Sequence, residues 1–246
     1  MKRYLLLLTS MELGGAEKQA INFARYLQQR GYQVIVMGLT DNGKVYEIGK
    51  RDGIECISIN TLKRQLSIFK IFYRLKAKLK KDTWVSGLCM SRAIAYYVKK
   101  NQIDISISYC SPANTILGLA KKFYPKCKYV WYQRDAGLCD EPKKYREEAL
   151  KLVDHIWANG KSGFEWLRKA HNVNAQIIYN GVELSKPQYN KAQWLKRLEV
   201  DEDACICTMI ANLSSNKNHM DILKAWKYMC DHNQRENLIL VFAGRY

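Results

Sequence analysis

The chain has 246 residues, of which 48% are hydrophobic, 26% charged and 11% aromatic. This composition is typical of a packed globular protein and excludes intrinsic disorder, collagen-like repeats and small disulfide-stapled scaffolds. Forty basic residues against 23 acidic ones give a formal net charge of +17. A charge of this size favours a partner with anionic groups, such as a membrane surface or a nucleic acid.

The apolar runs and the cysteines exclude further classes of protein. The longest early apolar run covers residues 4–8, whereas a spanning helix needs about 20 apolar residues and a signal-peptide core roughly 7 to 15. We therefore expect a cytoplasmic protein. The 8 cysteines include no Cys-x-x-Cys pair, and only Cys205 and Cys207 are close in sequence. We expect neither a metal site nor a disulfide.

The first forty residues predict a strand, a glycine turn, a helix and a second strand. The apolar run at 4–8 is interrupted by Gly14 and Gly15. Residues 16–29 then have helical apolar periodicity, and residues 34–39 form a second apolar run. This order is a βαβ unit, which requires a parallel sheet with a right-handed crossover.

The same alternation continues to about residue 184. Further strands are predicted at 54–59, 103–109, 129–133, 155–158 and 176–179. Further helices are predicted at 45–50, 62–81, 89–100, 113–123, 142–152 and 162–170. Alternation this regular predicts a doubly wound α/β domain over residues 1–184.

A polar, partly helical connector at 185–203 leads to a second domain at 204–246. Its predicted elements are a strand at 205–211, a helix at 218–229 and a strand at 238–243. Two strands and one helix do not close a doubly wound sheet. We expect this second domain to be incomplete, and to show exposed apolar side chains and faster hydrogen exchange than residues 1–184.

The basic residues are concentrated in one segment. Residues 61–100 contain eleven Lys and Arg residues and one Asp, so they carry +10. On a helical wheel of residues 62–81, the apolar side chains gather on one half and the basic side chains lie opposite. The basic face includes Lys63, Lys70, Arg74 and Lys78.

This amphipathic helix has two interpretations. It lies on an anionic membrane surface, with the four basic residues near the headgroups, or it is a core helix whose outer face is rich in lysine. Nucleic acid is a third partner that the charge alone would fit. We find no helix-turn-helix signal, zinc finger or aromatic nucleic-acid-binding motif, and we expect no nucleic-acid partner.

Gly14 and Gly15 place backbone N–H groups at a positive helix end, where a phosphate can bind. Motifs in a fixed order accompany this turn: Leu13-Gly14-Gly15-Ala16-Glu17, Ile178-Tyr179-Asn180-Gly181-Val182-Glu183, Ile210-Ala211-Asn212-Leu213 with Lys217-Asn218-His219, Leu223-Lys224-Ala225-Trp226, and Val241-Phe242-Ala243-Gly244. With these motifs the chain resembles family 4 glycosyltransferases of the two-Rossmann-domain GT-B fold. The resemblance covers all 246 residues.

The resemblance implies both an architecture and an activity. The fold is α/β and GT-B-like, with a complete N-terminal Rossmann-like domain for the acceptor and an incomplete second one for a nucleotide-sugar. The implied reaction transfers a sugar from the nucleotide-sugar donor to a lipid-linked or polysaccharide acceptor, with retention of configuration and without a metal or other cofactor. Cell-surface polysaccharide biosynthesis is the implied setting. The alternative is a non-catalytic acceptor- or membrane-binding fragment.

The resemblance also implies site residues. Arg134 and Asp135 stand where relatives commonly show a His-Asp pair, and we treat both as candidate catalytic residues. Arg134 can donate hydrogen bonds to sugar hydroxyls or phosphate but cannot shuttle a proton at pH 7. Lys217 stands at the diphosphate-binding lysine, and Asn212 replaces the usual arginine. The candidate donor- or acceptor-binding residues are Gly14, Gly15, Asn180, Gly181, Asn212 and Lys217.

Two further expectations concern the arrangement of this site. In a doubly wound domain the ligand crevice lies at the carboxyl ends of the strands. The candidate residues of the first domain should therefore converge there, namely Gly14, Gly15, Arg134, Asp135, Asn180 and Gly181. The glutamate pair that holds the donor sugar and ribose in relatives is expected beyond residue 246. Without it, we expect weak nucleotide-sugar binding and no measurable transfer by this chain.

Overall fold

The computed structural model describes residues 1–80, 84–138, 141–182, 184, 186–232 and 237–244, with side chains given outside residues 72–80 and 216. The chain divides into two units, Met1–Val182 and Glu183–Tyr246. The first unit is built on a seven-stranded sheet in the order β3-β2-β1-β4-β5-β6-β7, in which every pair of neighbours is parallel. The predicted doubly wound α/β fold is confirmed.

The elements of the first unit alternate along the chain. The strands are β1 (Arg3–Leu8), β2 (Gln33–Gly38), β3 (Glu55–Ser58), β4 (Ile105–Tyr109), β5 (Lys128–Gln133), β6 (His155–Ala158) and β7 (Gln176–Ile177). The helices are α1 (Gly15–Gln29), α2 (Lys44–Asp52), α3 (Lys63–Lys80), α4 (Val85–Lys100), α5 (Ala113–Ala120), α6 (Lys143–Leu152) and α7 (Lys161–His171). A 3-10 turn at Ile59–Leu62 precedes α3.

Strand β1 shows why the apolar runs are continuous. All side chains from Leu5 to Leu8 are fully buried. Leu5 and Leu7 pack in a cluster that includes side chains of α4 and α5, whereas Leu6 and Leu8 pack in a cluster that includes side chains of α1. Helices therefore cover both faces of the sheet, and each residue of a central strand must be apolar.

Some boundaries differ from the prediction for local reasons. Helix α4 begins at Val85 rather than 89. Gly87 in its first turn packs against the indole of Trp84, where a Cβ would lie 2.3 Å from the ring. The predicted strand at 176–179 stops at Ile177. Beyond it, the Ile178 carbonyl accepts a hydrogen bond from the Tyr132 hydroxyl at 2.6 Å, rather than from a backbone N–H of a neighbouring strand.

Helix α3 uses only part of its apolar face for the core. Leu66 and Phe69 are half-buried against the core cluster that contains α4. Ile68 and Ile71 are 56% and 65% exposed, and Lys70 beside them is exposed. The apolar face is therefore divided between the core and the surface. Lys63 is also exposed, whereas the side chains of Arg74 and Lys78 lie outside the described residues. Among the described helices, none is both long and apolar enough to cross a membrane.

A buried carboxylate joins two loops of the first unit. Glu141 is 5% exposed, and its carboxylate accepts hydrogen bonds from the hydroxyls of Ser111 and Thr115. The guanidinium of Arg146 lies 3.6 Å from the same carboxylate and also donates to His171 Nε2 at 3.2 Å. Burial, assisted by the charge of Arg146, lowers the pKa of His171. The neutral ring can therefore accept this hydrogen bond at pH 7.

The second unit contains a parallel pair of strands within the described residues. Its elements are α8 (Lys191–Leu198), β8 (Cys205–Ile210), α9 (His219–His232) and β9 (Leu238–Ala243). Helix α8 begins with a capping box formed by Asn190 and Gln193. Many side chains of β8 are exposed, and Ile210 is 83% exposed.

We expect Arg146→Met to lower the free energy of unfolding by about 3 kcal/mol, because it leaves the buried Glu141 carboxylate without its cation. Urea denaturation followed by tryptophan fluorescence measures this loss. Arg168→Met is the matched control, since Arg168 is 53% exposed in its pair with Glu165 and exposed pairs contribute at most about 1 kcal/mol. Equal losses in the two variants would contradict the role of Glu141 as a buried ionic link.

Candidate functional site

The candidate residues of the first unit lie at the carboxyl edge of its sheet. Gly15 begins α1 directly after the β1 loop, and Arg134 and Asp135 directly follow β5. Arg134 Nη2 donates to Asn180 Oδ1 at 2.8 Å. Strand order reverses between β1 and β4, so the crevice of a doubly wound sheet is expected beside these loops. The structure therefore places the predicted residues of this unit at one edge.

The guanidinium of Arg134 is held on an aromatic surface. Its carbon lies 5.0 Å from the ring centroid of Tyr132 and 5.7 Å from that of Tyr109, distances at which a cation is attracted to a ring face. The Arg134 carbonyl accepts a hydrogen bond from Asn159 Nδ2 at 3.2 Å. Burial raises the pKa of both tyrosines, and the charge of Arg134 opposes part of this rise. Both phenols therefore stay protonated at neutral pH.

Two donors of Arg134 lack a partner. Its Nε and Nη1 atoms are buried, and neither has a hydrogen-bond partner within the described part of the chain. A buried donor without an acceptor costs about 1 to 3 kcal/mol, and five N–H groups make arginine a versatile ligand for oxygen acceptors. These two N–H groups are shielded from solvent in the free protein, so the Nη2 edge, which donates to Asn180, is the part of the guanidinium that a ligand oxygen can reach without rearrangement.

Asp135 shapes the loop that carries Arg134. Its Oδ1 accepts hydrogen bonds from the backbone N–H groups of Gly137 at 2.8 Å and Leu138 at 3.0 Å, and from Gln133 Nε2 at 2.8 Å. Gly137 has φ +102°, and a Cβ there would lie 2.1 Å from Trp166 Nε1. The candidate catalytic carboxylate is therefore engaged in holding a turn that only glycine fits.

Glu17 was not singled out from the sequence and lies in the same crevice. A Cβ on Gly14 would lie 2.7 Å from Glu17 Oε2, so the carboxyl folds back over the start of α1. Burial raises the pKa of Glu17, while the N–H groups of Glu17 and Gly14 and the charge of Arg134 oppose the rise. The carboxyl therefore lies beside the start of α1, close to the turn where Gly14 and Gly15 predict a phosphate. The Gly14 to Glu17 spacing, that of a helix N-cap and its third residue, is the signal that could have revealed it.

Cys110 also lies at this edge, directly after β4, with φ +65°. Burial raises the pKa of its thiol to about 12; Asp135 and Glu17 raise it further, and Arg134 opposes them. Because the thiolate is the reactive form, this thiol is inert at neutral pH. Cys110 is therefore not a candidate nucleophile at this edge.

The first unit has cavities at both edges of its sheet. A cavity of about 210 Å³ lies at the carboxyl edge, between Thr9, Leu39, Trp84 and Pro112. A larger cavity of about 360 Å³ lies at the amino edge and is lined by Arg3, Gln28, Tyr32, Gln33, Val34 and Glu55, among others. If cavity volume alone decided where a ligand binds, the amino edge would be the candidate site. The unpaired donors of Arg134 favour the carboxyl edge, where parallel α/β sheets bind ligands.

The candidate residues of the second unit gather at the carboxyl ends of β8 and β9. Asn212 follows β8, and Lys217 ends a 3-10 turn and is exposed. The Ala211 N–H donates to the Ala243 carbonyl at 2.9 Å, and a Cβ on Gly244 would lie 1.8 Å from the Ala211 carbonyl oxygen. The two strand ends therefore approach too closely for a side chain at Gly244.

The Glu17 carboxyl predicts a pH dependence of stability. Because the pKa is raised above its ordinary 4.5, the group contributes stability that is fully present below pH 4.5 and is lost as pH rises through the folded-state pKa. Glu17→Gln should therefore gain stability over wild type between pH 4 and pH 7, by less than about 1 kcal/mol for a partly exposed group. Urea unfolding across this pH range measures the gain.

The control for that experiment is Glu12→Gln, which removes an exposed carboxylate from the loop before α1 and leaves the Glu17 carboxyl in place. If Glu17→Gln ran parallel to wild type from pH 4 to pH 7, the buried environment assigned to this carboxyl would be wrong.

Comparisons with solved structures identify the architecture. A glycosyltransferase from Rickettsia africae is similar at a TM-score of 0.67 and 15% identity, over 98% of this chain and 68% of that one. HepE of Anabaena, solved with UDP-glucose, has a TM-score of 0.63 and 12% identity, and the match covers 99% of this chain and 69% of HepE. The lipopolysaccharide outer core galactosyltransferase WaaB has a TM-score of 0.59 and 14% identity, and the match covers 99% of this chain and 68% of WaaB. These likenesses show the GT-B fold.

The sequence comparisons concern the family. A search of curated proteins finds no match. The profile described as Glycosyltransferase Family 4 matches residues 13–186, a span that includes the glycine turn, Arg134 and Asn180. Because this match covers well over half of the chain, the protein belongs to glycosyltransferase family 4.

Proposed function

We propose that this glycosyltransferase transfers a sugar from a nucleotide-sugar donor to a lipid-linked or polysaccharide acceptor, with retention of configuration and without a metal. Cell-surface polysaccharide biosynthesis is the proposed setting. Family membership supports the reaction class. HepE was solved with UDP-glucose. Two further similar structures were solved with UDP: an alpha-glucosyltransferase, at a TM-score of 0.50, and a TarM variant, at a TM-score of 0.57. A UDP-sugar is therefore the donor to test first.

The observation that carries the proposal is the position of Arg134, a cation fixed at the carboxyl edge of the sheet by Asn180 and two tyrosine rings. Sugar hydroxyls and phosphate oxygens are the acceptors that a transferase substrate brings to a crevice, and charge-assisted hydrogen bonds to them are stronger than neutral ones. The aromatic surface of Tyr109 and Tyr132 fixes the guanidinium before a ligand arrives. Preorganised donors of this kind also stabilise negative charge that develops on a departing phosphate.

Lys217 is the proposed cation for the donor diphosphate in the second unit. Its side chain is exposed, and it lies at the carboxyl ends of β8 and β9 together with Asn212. A lone flexible lysine binds phosphate as a point charge, whereas arginine adds a planar fork. With Asn212 in place of the family's arginine, we propose that Lys217 gives modest donor affinity.

A second proposed feature is contact with an anionic membrane surface through α3. Ile68 and Ile71 are exposed beside Lys70, and Lys63 is exposed at the start of the same helix. Exposed isoleucines can enter the headgroup boundary while lysines are attracted to anionic lipid, by about 1 kcal/mol each near the surface. Such contact would bring the crevice to a lipid-linked acceptor on the cytoplasmic side of a membrane.

Replacing Arg134 tests the proposed substrate site. We expect Arg134→Gln to weaken UDP-glucose binding about 10- to 100-fold, the loss of one or two charge-assisted hydrogen bonds. Titration followed by ligand-observed NMR measures the affinity, and release of UDP measures turnover. Arg30→Gln is the matched control, because Arg30 also lies over a tyrosine ring, that of Tyr26 at 4.9 Å, but at the opposite end of α1.

Each outcome of this experiment has a distinct meaning. Sugar transfer that depends on Arg134 supports the proposed enzyme. Saturable binding that depends on Arg134 without transfer favours the non-catalytic binding fragment. Equal affinities of wild type and Arg134→Gln for every sugar nucleotide tried would contradict the site.

Vesicle binding tests the membrane contact. We expect the double variant Lys63→Gln and Lys70→Gln to bind anionic vesicles more weakly by about 1 to 2 kcal/mol, and wild-type binding to fall as salt rises. Co-sedimentation with vesicles containing phosphatidylserine measures both effects. The control is Lys99→Gln with Lys100→Gln, two exposed lysines at the end of α4. Equal losses in the two double variants would show that only net charge matters and would reject a role for α3.

A further inference from the structure

Gln19 forms a two-point contact with a distant segment of the first unit. Its Nε2 donates to the Gly181 carbonyl at 2.7 Å, and the Gly181 N–H donates to its Oε1 at 3.2 Å, across 162 positions of sequence. The side-chain amide therefore satisfies both backbone groups of one residue. Only a primary amide of this length supplies a donor and an acceptor in one plane.

The segment that Gln19 holds has little apolar support. Strand β7 ends at Ile177, and beyond it Tyr179 and Val182 are 74% and 78% exposed. The polar contacts described for residues 180 and 181 are those with Gln19 and Arg134. Since the segment gains little from burial, its conformation depends on hydrogen bonds.

The held segment in turn carries the acceptor for Arg134. Asn180, the neighbour of Gly181, accepts from Arg134 Nη2 at 2.8 Å. That bond sets the rotation of the guanidinium on the rings of Tyr109 and Tyr132, and with it the directions of the unpaired Nε and Nη1 groups. Hydrogen bonds that support a binding side chain fix its geometry even though they touch no ligand.

We infer that Gln19 is a positioning residue, which holds the 180–181 segment so that Asn180 orients Arg134 for substrate binding. The inference rests on the proposed function of Arg134 for its consequence, but the orientation itself is a property of the protein alone. A purely structural staple would stabilise the fold without changing Arg134. The two roles therefore differ in what they predict for the arginine.

The test compares Gln19→Met with Gln28→Met in the full chain. Gln28 is a matched control because it lies on the same helix and its Nε2 donates to the Gly53 carbonyl at 3.0 Å, far along the chain from the crevice loops. The first readout is the hydrogen-exchange rate of the Arg134 Nε–H, followed by NMR on 15N-labelled protein and assigned with Arg134→Gln. The second readout is the affinity for UDP-glucose in a double-mutant cycle.

We expect Gln19→Met to accelerate exchange of the Arg134 Nε–H at least tenfold, while Gln28→Met leaves it unchanged. We also expect Gln19→Met to weaken UDP-glucose binding about five- to tenfold in the wild-type background and by less than twofold in the Arg134→Gln background. Unchanged Nε–H exchange in Gln19→Met, or full additivity of the two affinity losses, would overturn the inference. If wild type binds no UDP-glucose, the proposed donor is wrong, and the Nε–H exchange still decides the positioning role.

Discussion

Parallel pairing of all seven strands is the constraint on which the first unit depends. It sends every strand's carboxyl end to one edge, so loops far apart in sequence meet there. It also requires helices on both faces of the sheet. For this reason residues 5–8 of β1 are fully buried, and all four are apolar. The site is therefore a consequence of topology, because Arg134 and Asn180 follow different strands and come within hydrogen-bond distance.

Most polar groups in and around this edge are satisfied by the protein itself. Glu141 has Ser111, Thr115 and Arg146 around it, and Asp135 accepts from its own turn. Arg134 is different, since buried donors on its guanidinium lack acceptors within the described residues. An unsatisfied buried donor costs stability in the free protein. Arg134 is therefore the side chain at this edge for which we propose a role in binding.

Local patterns in the sequence predicted the sheet, the glycine turn and the edge where the candidate residues lie. They could not predict contacts that depend on packing. The link from Gln19 to Gly181 spans most of the first unit, and no local periodicity signals it. The wheel of α3 predicted one apolar face, yet Ile68 on that face stays exposed because the described core contacts of α3 involve Leu66 and Phe69. The fold-back of the Glu17 carboxyl beside Gly14 is likewise a side-chain conformation that local sequence does not determine.

Hydrogen exchange of the whole chain with and without UDP-glucose tests the central claim, that ligand binds at the carboxyl edge through Arg134. The account predicts slower exchange on binding in residues 14–19, 134–138 and 178–181, which surround the guanidinium, and around Lys217 in the second unit, the proposed diphosphate cation. It predicts no change in residues 32–35 and 53–55, which lie at the larger cavity of the amino edge. Protection confined to the amino edge, with the three carboxyl-edge segments unchanged, would contradict it.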